Sequence, residues 1–457
     1  MDRITQRRFR EESQRRGLWA GGRVATHQDL SSYFFVRSVE LYLKPTGVIA
    51  FVMPFAAMSR RQFGGFRSGT YAARKGRRME AVFATVQFTA AWSFSDDVQP
   101  LFPVPSCVLF GRPGGGEGSV LPGSIDAASG NLPRRDASPS EADAALTWRV
   151  RPWPVTTSVQ EGSSLYRDAF RQGATMVPRM LCVVQPAASG RLGRNPAAPV
   201  VESRRTNQEK RPWKHLPSLR RNVEKQFLRP FYLGESVAPF RLLEPVVAVI
   251  PWQREGNRLL DAEAAQEAGY LYLSRWLVTA EQLWSQHGRG RLTFAAQIDY
   301  YGKLTAQLPP PPLRVVYTAS GTLPAAALLP GDFAIVEHKL YWAGVTNDAE
   351  GRYLLAVRNS ETARRRVEHP QSRGQWGARD FDKVILSLPI PRFDPANRLH
   401  QELTAAAASA EQVAADVTLQ EGMHFVRSRQ LVRRALQEDG VATRIDNLVT
   451  QLLGVQG

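Results

Sequence analysis

The sequence predicts an α/β protein of several domains, and three observations lead to that fold class. An apolar helix, a short turn and an uninterrupted apolar strand follow one another over residues 29–53, which is the order of the second half of a βαβ unit. Residues 148–395 mix short aromatic and β-branched runs with helical stretches, as α+β domains do. From residue 396 onward, Ala-rich segments predict a helical tail.

Length and charge limit the possible functions. The 457 residues, 43% of them hydrophobic, allow about two to four domains with substantial cores. Lys and Arg number 59 against 42 Asp and Glu, a net charge of +17, which indicates a polyanionic partner, either nucleic acid or an acidic membrane surface. No apolar run approaches the roughly 20 residues that cross a bilayer. No basic helix carries the aromatic anchors of a lipid-bound segment. We therefore expect nucleic acid as the partner and no membrane.

The cysteines and histidines offer little chemistry. Cys107 and Cys182 are the only cysteines; they are too few for a disulfide framework and lack metal-ligand spacing. The N-terminus has no apolar segment of a secretory signal, so a reducing cytoplasm is the expected compartment. The histidines are scattered, and no serine lies in a nucleophile elbow. These patterns argue against a metal site and against hydrolase chemistry.

The N-terminal region reads as a basic arm, a helix and a strand. Residues 1–28 are Arg-rich and contain several glycines, which predicts an arm or loop. Asp29 is suited to cap a helix whose polar side chains form one narrow stripe, and Pro45 and Gly47 end that helix. The strand Val48–Met53 has no polar alternation. It is therefore expected inside a parallel sheet that helices cover on both faces.

The remaining segments follow in order. Two further strands are expected near residues 82–88 and 106–110, and residues 112–147 read as a flexible linker because Gly, Pro, Ser, Asp and Ala dominate them. The resulting domain boundaries are a basic arm (1–28), an α/β domain (29–111), the linker (112–147), a second domain (148–395) and a helical tail (396–457).

Four segments, in this order along the chain, resemble the adenine-N6 DNA methyltransferases of restriction–modification and related phage-defence systems. Residues 28–54 resemble that family's helix and strand after the catalytic loop, and residues 101–110 its late hairpin. Residues 225–241 resemble the early part of its target-recognition domain. Residues 353–360, followed by 388–391, resemble the end of that domain.

The resemblance implies a fold and a reaction. Residues 29–111 would be the C-terminal half of a catalytic domain, a partial Rossmann-like methyltransferase sheet with its late strands only. Residues 148–395 would be an α+β target-recognition domain. The complete enzyme would transfer a methyl group from S-adenosylmethionine to N6 of a flipped adenine in duplex DNA.

Two motifs that this chemistry needs are missing from the sequence. The family binds S-adenosylmethionine at a Gly-containing turn and holds the adenine in an Asn/Asp-Pro-Pro-aromatic loop. The Pro-Pro run Pro309–Pro312 is flanked by Leu308 and Leu313, and no helix directly follows Gly114–Gly116. We therefore expect no catalytic residue and no bound cofactor in this chain. In the family's order the missing elements precede residue 1, which would leave the strand 48–53 at an open sheet edge. Three explanations stay open: a separate N-terminal methyltransferase half supplies the missing strands as a partner, this half is poorly folded alone, or the sequence is a fragment of a longer gene.

The candidate DNA-binding residues are basic, with one aromatic among them. The arm offers Arg7 and Arg8, for which a solvated tail is an equal alternative. A denser cluster places a tryptophan among cations, a pattern suited to phosphate contact and stacking. Its members are Arg204, Arg205, Lys210, Arg211, Trp213, Lys214, Arg220, Arg221, Lys225 and Arg229. Arg364–Arg366, Arg373 and Arg379 flank a family-like segment and are further candidates; a solvated helix face is the alternative for them.

Three functional hypotheses remain open from the sequence. In the first, the chain supplies duplex binding and sequence choice to an adenine-specific methyltransferase that is active only with its other half. In the second, it is a DNA-binding module or degenerate remnant without catalysis. In the third, it is a basic RNA-associated protein.

Overall fold

A computed structural model describes residues 3–19, 30–75, 78–94, 98–102, 105–153, 164–188, 195–207, 209–288, 292–321, 323–331, 333–367, 372–374, 377–380 and 384–454. The chain forms two compact units. The first comprises residues 1–163 and 367–380, and the second comprises residues 164–366 and 381–457. Within the described ranges, every helix is too short or too polar to cross a lipid bilayer.

The first unit is built around one mixed sheet. Its helices are α1 (Arg3–Arg15), α2 (Leu30–Tyr42), α3 (Ala56–Ser59), α4 (Gly64–Arg67) and α5 (Pro139–Ala145). Its strands are β1 (Ile49–Pro54), β2 (Thr70–Lys75), β3 (Arg78–Phe94), β4 (Val98–Gln99), β5 (Ser106–Pro113), β6 (Ser124–Asn131) and β7 (Leu146–Pro152). The sheet order is β1-β5-β3-β6-β4, with β2 added to β3 and β7 to β6.

The strand expected inside a parallel sheet is instead an edge strand. β1 pairs with β5 alone among the described strands, and the pair is antiparallel, with Phe51 opposite Leu109. Only one face of β1 is packed: Ile49 and Met53 are buried, whereas Val52 is exposed. The apolar run predicts burial on both faces, and this prediction is wrong because the sequence alone does not show which neighbours a strand has. The open edge expected for this segment is present in the described residues.

The segment expected to be a flexible linker, residues 112–147, is ordered in the structure. It contains β6, which runs parallel to β3 and antiparallel to β7. It also contains α5, whose first turn is fixed by a capping box between Ser138 and Glu141. Its small residues pack closely: Ala127 and Ala128 are buried within the sheet. The expected boundary at residue 147 is also corrected, because β7 belongs to the first unit.

The expected N-terminal arm, residues 1–28, contains a packed helix over its described part. On α1, Phe9 is buried and its ring lies 5.7 Å from that of Tyr33 on α2. Arg16, just after α1, is buried and donates hydrogen bonds to the carboxylates of Glu12 and Glu40. The Arg16 contacts hold the pKa of Glu12 below its usual value. The arginines of this segment had suggested a solvated tail, but one of them anchors the helix.

The second unit contains most of the strands and the longer helices. Its strands are β8 (Arg171–Gln172), β9 (Val183–Pro186), β10 (Val200–Ser203), β11 (Arg220–Asn222), β12 (Leu228–Tyr232), β13 (Val237–Ala238), β14 (Arg241–Leu242), β15 (Val246–Val249), β16 (Trp252–Gln253), β17 (Arg258–Leu259), β18 (Leu313–Thr318), β19 (Ala326–Pro330), β20 (Ile335–Val336) and β21 (Leu340–Gly344). Its helices are α6 (Ala262–Glu267), α7 (Leu271–His287), α8 (Phe294–Ile298), α9 (Asp348–Asn359), α10 (Glu361–Arg366), α11 (Arg398–Asp416), α12 (Phe425–Asp439) and α13 (Val441–Leu452). A hairpin of β22 (Ser372–Gly374) and β23 (Gly377–Asp380) is grouped with the first unit.

Two sheets of the second unit position the candidate site. One has the order β11-β10-β9-β15-β12-β20, and the other β19-β18-β21-β8. Helix α7 packs on the first sheet: Trp276 is fully buried and its indole N–H donates to the Leu181 carbonyl over 3.0 Å. β11 is therefore the edge of a sheet with a well-covered core.

The predicted helical tail is present and packs on α9 and α10. The guanidinium of Arg352 on α9 contacts Glu411 on α11 at 2.7 Å. The Asp446 carboxylate on α13 accepts hydrogen bonds from the Ser360 hydroxyl and the Thr362 amide at 2.6 and 3.1 Å. The tail is thus part of the second unit rather than an appended segment.

Candidate nucleic-acid interface

The densest basic segment of the sequence forms a hairpin at the edge of the six-stranded sheet. β10 and β11 are antiparallel, with Val201 opposite Arg221, and residues 204–219 connect them. The Ser203 hydroxyl closes the base of this connection, because it donates to the Met180 carbonyl over 2.7 Å and accepts from the Leu219 amide over 2.9 Å. The hairpin therefore projects from a fixed base.

Seven cations of this hairpin and its flanks are exposed. We call them the cationic edge: Arg204, Lys210, Arg211, Lys214, Arg220, Arg221 and Lys225. The Arg220 guanidinium also donates to the Ala188 carbonyl over 2.8 Å. Among the described residues, none of the seven lies within salt-bridge distance of a carboxylate.

Three acidic side chains of the same region already have other partners. Glu202, which is opposite Arg220, accepts from the side-chain amide of Gln185 over 2.9 Å. Glu209 pairs with Arg205 at 2.7 Å. Glu224 accepts hydrogen bonds from the amides of Tyr272 and Leu273 at the start of α7, at 2.9 and 2.8 Å. Because these carboxylates face other partners, the cationic edge keeps its positive charge available for phosphates.

Two arginines of the predicted cluster have structural roles instead. Arg205 donates to the carbonyls of Leu216 and Trp213 over 2.9 and 2.8 Å and so braces the loop. Arg229 is buried, with its guanidinium over the rings of Trp252 and Phe333 at 4.6 and 4.3 Å. These two arginines are corrected as candidates for phosphate contact.

Trp213 is corrected as a free stacking platform. Its ring stacks on that of Trp284 of α7, with centroids 5.9 Å apart and planes 12° apart. The His287 ring is nearly perpendicular to it, with the two ring centroids 6.2 Å apart. An aromatic residue in a basic segment can either stack on a ligand or pack into the protein core. Here the ring packs against the long helix α7. Trp213 therefore attaches the basic loop to the body of the unit.

The predicted arginines outside the cluster include residues on α1 and α10. Arg7 and Arg8 lie on the exposed side of α1, and Arg7 is at 4.0 Å from Glu11. The guanidinium of Arg366 donates to the carbonyls of Leu453 and Gly454, at the end of α13.

For the other predicted arginines, the structure describes the side chains of Arg364 and Arg365 but not those of Arg373 and Arg379. Arg364 pairs with Glu361 at 2.7 Å, and Arg365 contacts the same carboxylate. Arg364–Arg366 therefore stabilise helix ends. Arg373 and Arg379 lie on the β22–β23 hairpin, where Arg373 is opposite Ala378; their side chains lie outside the described residues.

An exposed aromatic pair was missed by the sequence reasoning. The rings of Tyr300 and Tyr301 are 4.4 Å apart, and Tyr301 has φ of 58°, which is unusual for a bulky residue. The Asp299 carboxylate fixes the turn by accepting from the amides of Leu304 and Thr305 over 3.0 and 2.9 Å. The signal was the sequence Asp-Tyr-Tyr-Gly, a turn that presents two rings. Bases stack on such exposed rings in many single-strand binders.

The buried thiols show no sign of reactivity. Cys107 and Cys182 are both buried, and burial raises the pKa of each thiol well above its ordinary value. The Cys107 thiol lies 3.7 Å from the Pro54 carbonyl, within the packed layer between β1 and β5. Both thiols are therefore small apolar groups of their cores, as Cys107 was expected to be. Within the described residues, no group of three or more His, Cys, Asp or Glu side chains could hold a metal ion.

Comparisons with known proteins agree with the fold. No protein-family model and no curated protein matches the sequence. Among solved structures, the Type IIL restriction-modification enzyme MmeI in complex with DNA superposes with a TM-score of 0.52 at 10% sequence identity, covering 96% of this chain and 51% of that one. The type IIG restriction endonuclease BpuSI aligns over 99% of this chain and 52% of its own at 12% identity, but its TM-score of 0.27 carries no argument.

The similarity to MmeI shows a shared fold. The predicted fold class is confirmed as a mixed α/β chain with several sheets and a helical tail. This chain spans about half the length of the solved chains it matches.

Proposed function

We propose that this chain is the DNA-recognition portion of a DNA-modifying enzyme of the restriction–modification type. The observation that carries the proposal is the cationic edge: seven exposed cations at one sheet edge, whose neighbouring carboxylates are engaged elsewhere. Such an arrangement suits the phosphates of a nucleic-acid backbone. The similar fold of MmeI, which was solved in complex with DNA, supports DNA as that nucleic acid.

We further propose that the complete enzyme methylates adenine at N6 with S-adenosylmethionine as the donor. The support is the four-segment resemblance to that family. In this proposal the donor site and the adenine-binding loop are supplied by a methyltransferase half, on the same polypeptide or on another, that adds to the open edge of β1. The chain itself contributes duplex binding and choice of sequence.

Salt dependence of binding tests the cationic edge directly. We expect the logarithm of the association constant for a labelled duplex of about 30 base pairs to fall linearly with the logarithm of salt concentration. The fourfold variant Lys210→Ala, Arg211→Ala, Lys214→Ala and Arg221→Ala should reduce the slope by up to about 0.9 per lost phosphate contact. Its affinity should fall by at least about a hundredfold at low salt.

The matched control removes exposed cations of the tail. Arg398 and Arg434 are exposed on α11 and α12, and each pairs with a glutamate four residues later. The double variant Arg398→Ala, Arg434→Ala should keep the wild-type slope to within about one contact. A flat salt dependence of the wild-type chain would exclude phosphate-driven binding, and equal losses in both variants would exclude a localised interface.

Competition separates DNA from RNA, and a transfer assay separates recognition from catalysis. Duplex RNA of equal length should compete at least about tenfold less well than duplex DNA, because its grooves have different shapes.

Labelled S-adenosylmethionine should give N6-methyladenine only when the methyltransferase half is added. Methyl incorporation by this chain alone would contradict the division of labour, and no incorporation with the added half would leave a DNA-binding module without catalysis.

A further inference from the structure

A second surface of the second unit combines two exposed tyrosines with a group of cations. Tyr300 and Tyr301, which follow α8, are 37% and 73% exposed. Their ring planes are inclined at 64°, and a side-chain hydrogen bond with Tyr301 raises the pKa of Tyr300. The two rings therefore hold each other in one arrangement, with the larger part of Tyr301 in water. We call these two residues the tyrosine turn.

The backbone of the tyrosine turn is held in place although one of its residues is strained. Tyr301 has φ of 58°, a left-handed conformation that suits glycine and disfavours a bulky side chain. The buried Gln307 fixes the chain that follows: its side-chain amide donates to the Lys303 and Val336 carbonyls over 3.2 and 3.0 Å. Strained residues that their surroundings hold in place cluster at binding and active sites.

Three cations lie beside the tyrosine turn: Arg179, Lys303 and Lys339. Lys303 follows the turn after one glycine. Burial lowers the pKa of His338, and the charges of the three cations act in the same direction, whereas the Glu337 carboxylate opposes them. All three therefore lie within electrostatic reach of one imidazole ring. Lys339 is exposed, and Lys303 and Arg179 are half-buried.

The carboxylates of this surface already have partners. Glu337 is buried and accepts from the Arg179 guanidinium and the Gly234 amide over 2.7 and 2.8 Å. The Asp299 carboxylate accepts from backbone amides of its own turn. Because both carboxylates face other groups, the two lysines keep their positive charge available for phosphates.

The tyrosine turn and the cationic edge are attached to the same helix. The Trp284 indole on α7 stacks on Trp213 of the basic loop, and its N–H donates to the Leu292 carbonyl over 2.7 Å. Phe294 and Ile298 on α8 are buried in the same core as Trp284. From there α8, about 8 Å long, leads to the tyrosines. The turn therefore lies within one helical turn of duplex, about 34 Å, of Trp213, and one nucleic acid can contact both surfaces.

We propose that the tyrosine turn is a stacking site for an unstacked base of bound DNA, with Lys303 and Lys339 beside it for the flanking phosphates. This inference rests on the proposed function and adds a second contact and its ligand class. Proteins that bind unpaired strands combine exposed aromatic rings with neighbouring cations, and this surface offers both. Every base has an aromatic face, so the site accepts any of the four bases and does not read a sequence.

A duplex interrupted by about four unpaired thymidines tests the stacking site against a fully paired duplex of equal length. The wild type should bind the interrupted duplex at least about fivefold more tightly. Tyr301→Gly and Tyr301→Asn should remove that preference, because both residues tolerate the left-handed backbone and so keep the turn. Tyr301→Phe retains the ring and should keep the preference. Tyr42→Ala is the matched control, because Tyr42 is 79% exposed on α2 of the first unit; it should also keep the preference.

Binding of the fully paired duplex, measured in parallel, keeps the possible failures apart. All variants should bind it as the wild type does, which shows that they fold and leaves the cationic edge undisturbed. A preference that Tyr301→Gly and Tyr301→Asn do not reduce, or a wild type without any preference, would overturn the stacking site and leave the proposed function in place. A wild type that binds only the interrupted duplex would overturn duplex recognition and leave the stacking site standing. Unpaired RNA that competes better than the interrupted duplex would overturn DNA as the ligand.

Discussion

The two units differ in which large side chains they bury and which they leave exposed. In the second unit, even charged groups are enclosed: the Arg358 guanidinium is fully buried, 3.9 Å from the ring centroid of Tyr317 and 4.7 Å from that of Phe170. In the first unit, Trp92 and Trp148 remain partly in water on an otherwise regular sheet. Both units bury an arginine, Arg16 in the first and Arg358 in the second, so the partly exposed tryptophans on the sheet are what distinguish the first unit.

The surfaces to which we assign a function also lie on different units. The cationic edge belongs to the second unit, where its position is fixed by Ser203, Arg205 and Trp213. The first unit offers an open strand and an apolar face instead. The surfaces that we propose for DNA binding therefore lie on the second unit.

The largest expected effect concerns the core of the second unit. Trp276→Ala removes a fully buried ring and the hydrogen bond of its indole to the Leu181 carbonyl. We expect the free energy of unfolding to fall by about 3–5 kcal/mol. Urea unfolding monitored by circular dichroism measures it, with hydrogen exchange assigning the transition to the second unit. A loss below about 1 kcal/mol would mean that this core is looser than the buried contacts indicate.

Trp213 gives the next largest effect and distinguishes packing from base stacking. Trp213→Ala should cost about 2 kcal/mol, because the half-buried ring leaves Trp284 uncovered. Trp213→Phe retains a ring on Trp284 and should change the DNA association constant by less than about threefold. Equilibrium binding at fixed salt measures the second outcome. If Trp213→Phe folds normally but loses more than about tenfold in affinity, the ring contacts bases after all.

Trp148 should show a smaller effect. Trp148→Ala should cost about 1 kcal/mol, since the ring is 40% exposed and its contacts are with Trp92 and Phe94. Thermal unfolding of the variant and the wild type measures this difference. A cost above about 3 kcal/mol would contradict the exposure of the ring.

Much of the fold could be predicted from local patterns. The helix after residue 29 and the strand after Gly47 both occur where composition and periodicity indicated them. The partners of β1 could not be predicted in this way, because strand pairing depends on residues distant in sequence. The prediction of a flexible linker was wrong for a related reason. Ala127 and Ala128 do not indicate a strand in the sequence, but both are buried within the sheet.

The candidate site was predicted in outline and corrected in detail. Clustering of cations located the hairpin, since like charges gather at a surface for an anionic ligand. The pattern could not separate Lys214, which is exposed, from Arg205 and Arg229, which bind carbonyls or lie between rings. That distinction depends on the loop turning back onto α7 and on Phe333, more than a hundred residues later. Sequence proximity identified the region, and tertiary packing decided each member.

The smallest expected effect is a pH dependence confined to the second unit. His400 on α11 is buried, and its Nδ1 accepts a hydrogen bond from the Asp394 amide over 3.0 Å. Burial lowers the pKa of His400 below its ordinary value of 6.5, although the nearby Asp394 carboxylate acts in the opposite direction. The folded state therefore favours the neutral ring. Its contribution is complete above the unfolded pKa and is lost as the pH falls through the lower folded pKa.

His400→Asn isolates this contribution, because the Asn side-chain oxygen can accept the same hydrogen bond but does not titrate. Between pH 7 and pH 5, the wild-type free energy of unfolding should fall more steeply than that of the variant, by less than the ceiling of about 1.4 kcal/mol per pH unit for one proton. Urea unfolding at several pH values measures the difference, and the carboxylates common to both proteins cancel in it. Parallel curves would show that the ring titrates equally in both states. A wild-type protein that gained stability on acidification would show that the Asp394 carboxylate outweighs burial, because a raised folded pKa reverses the sign.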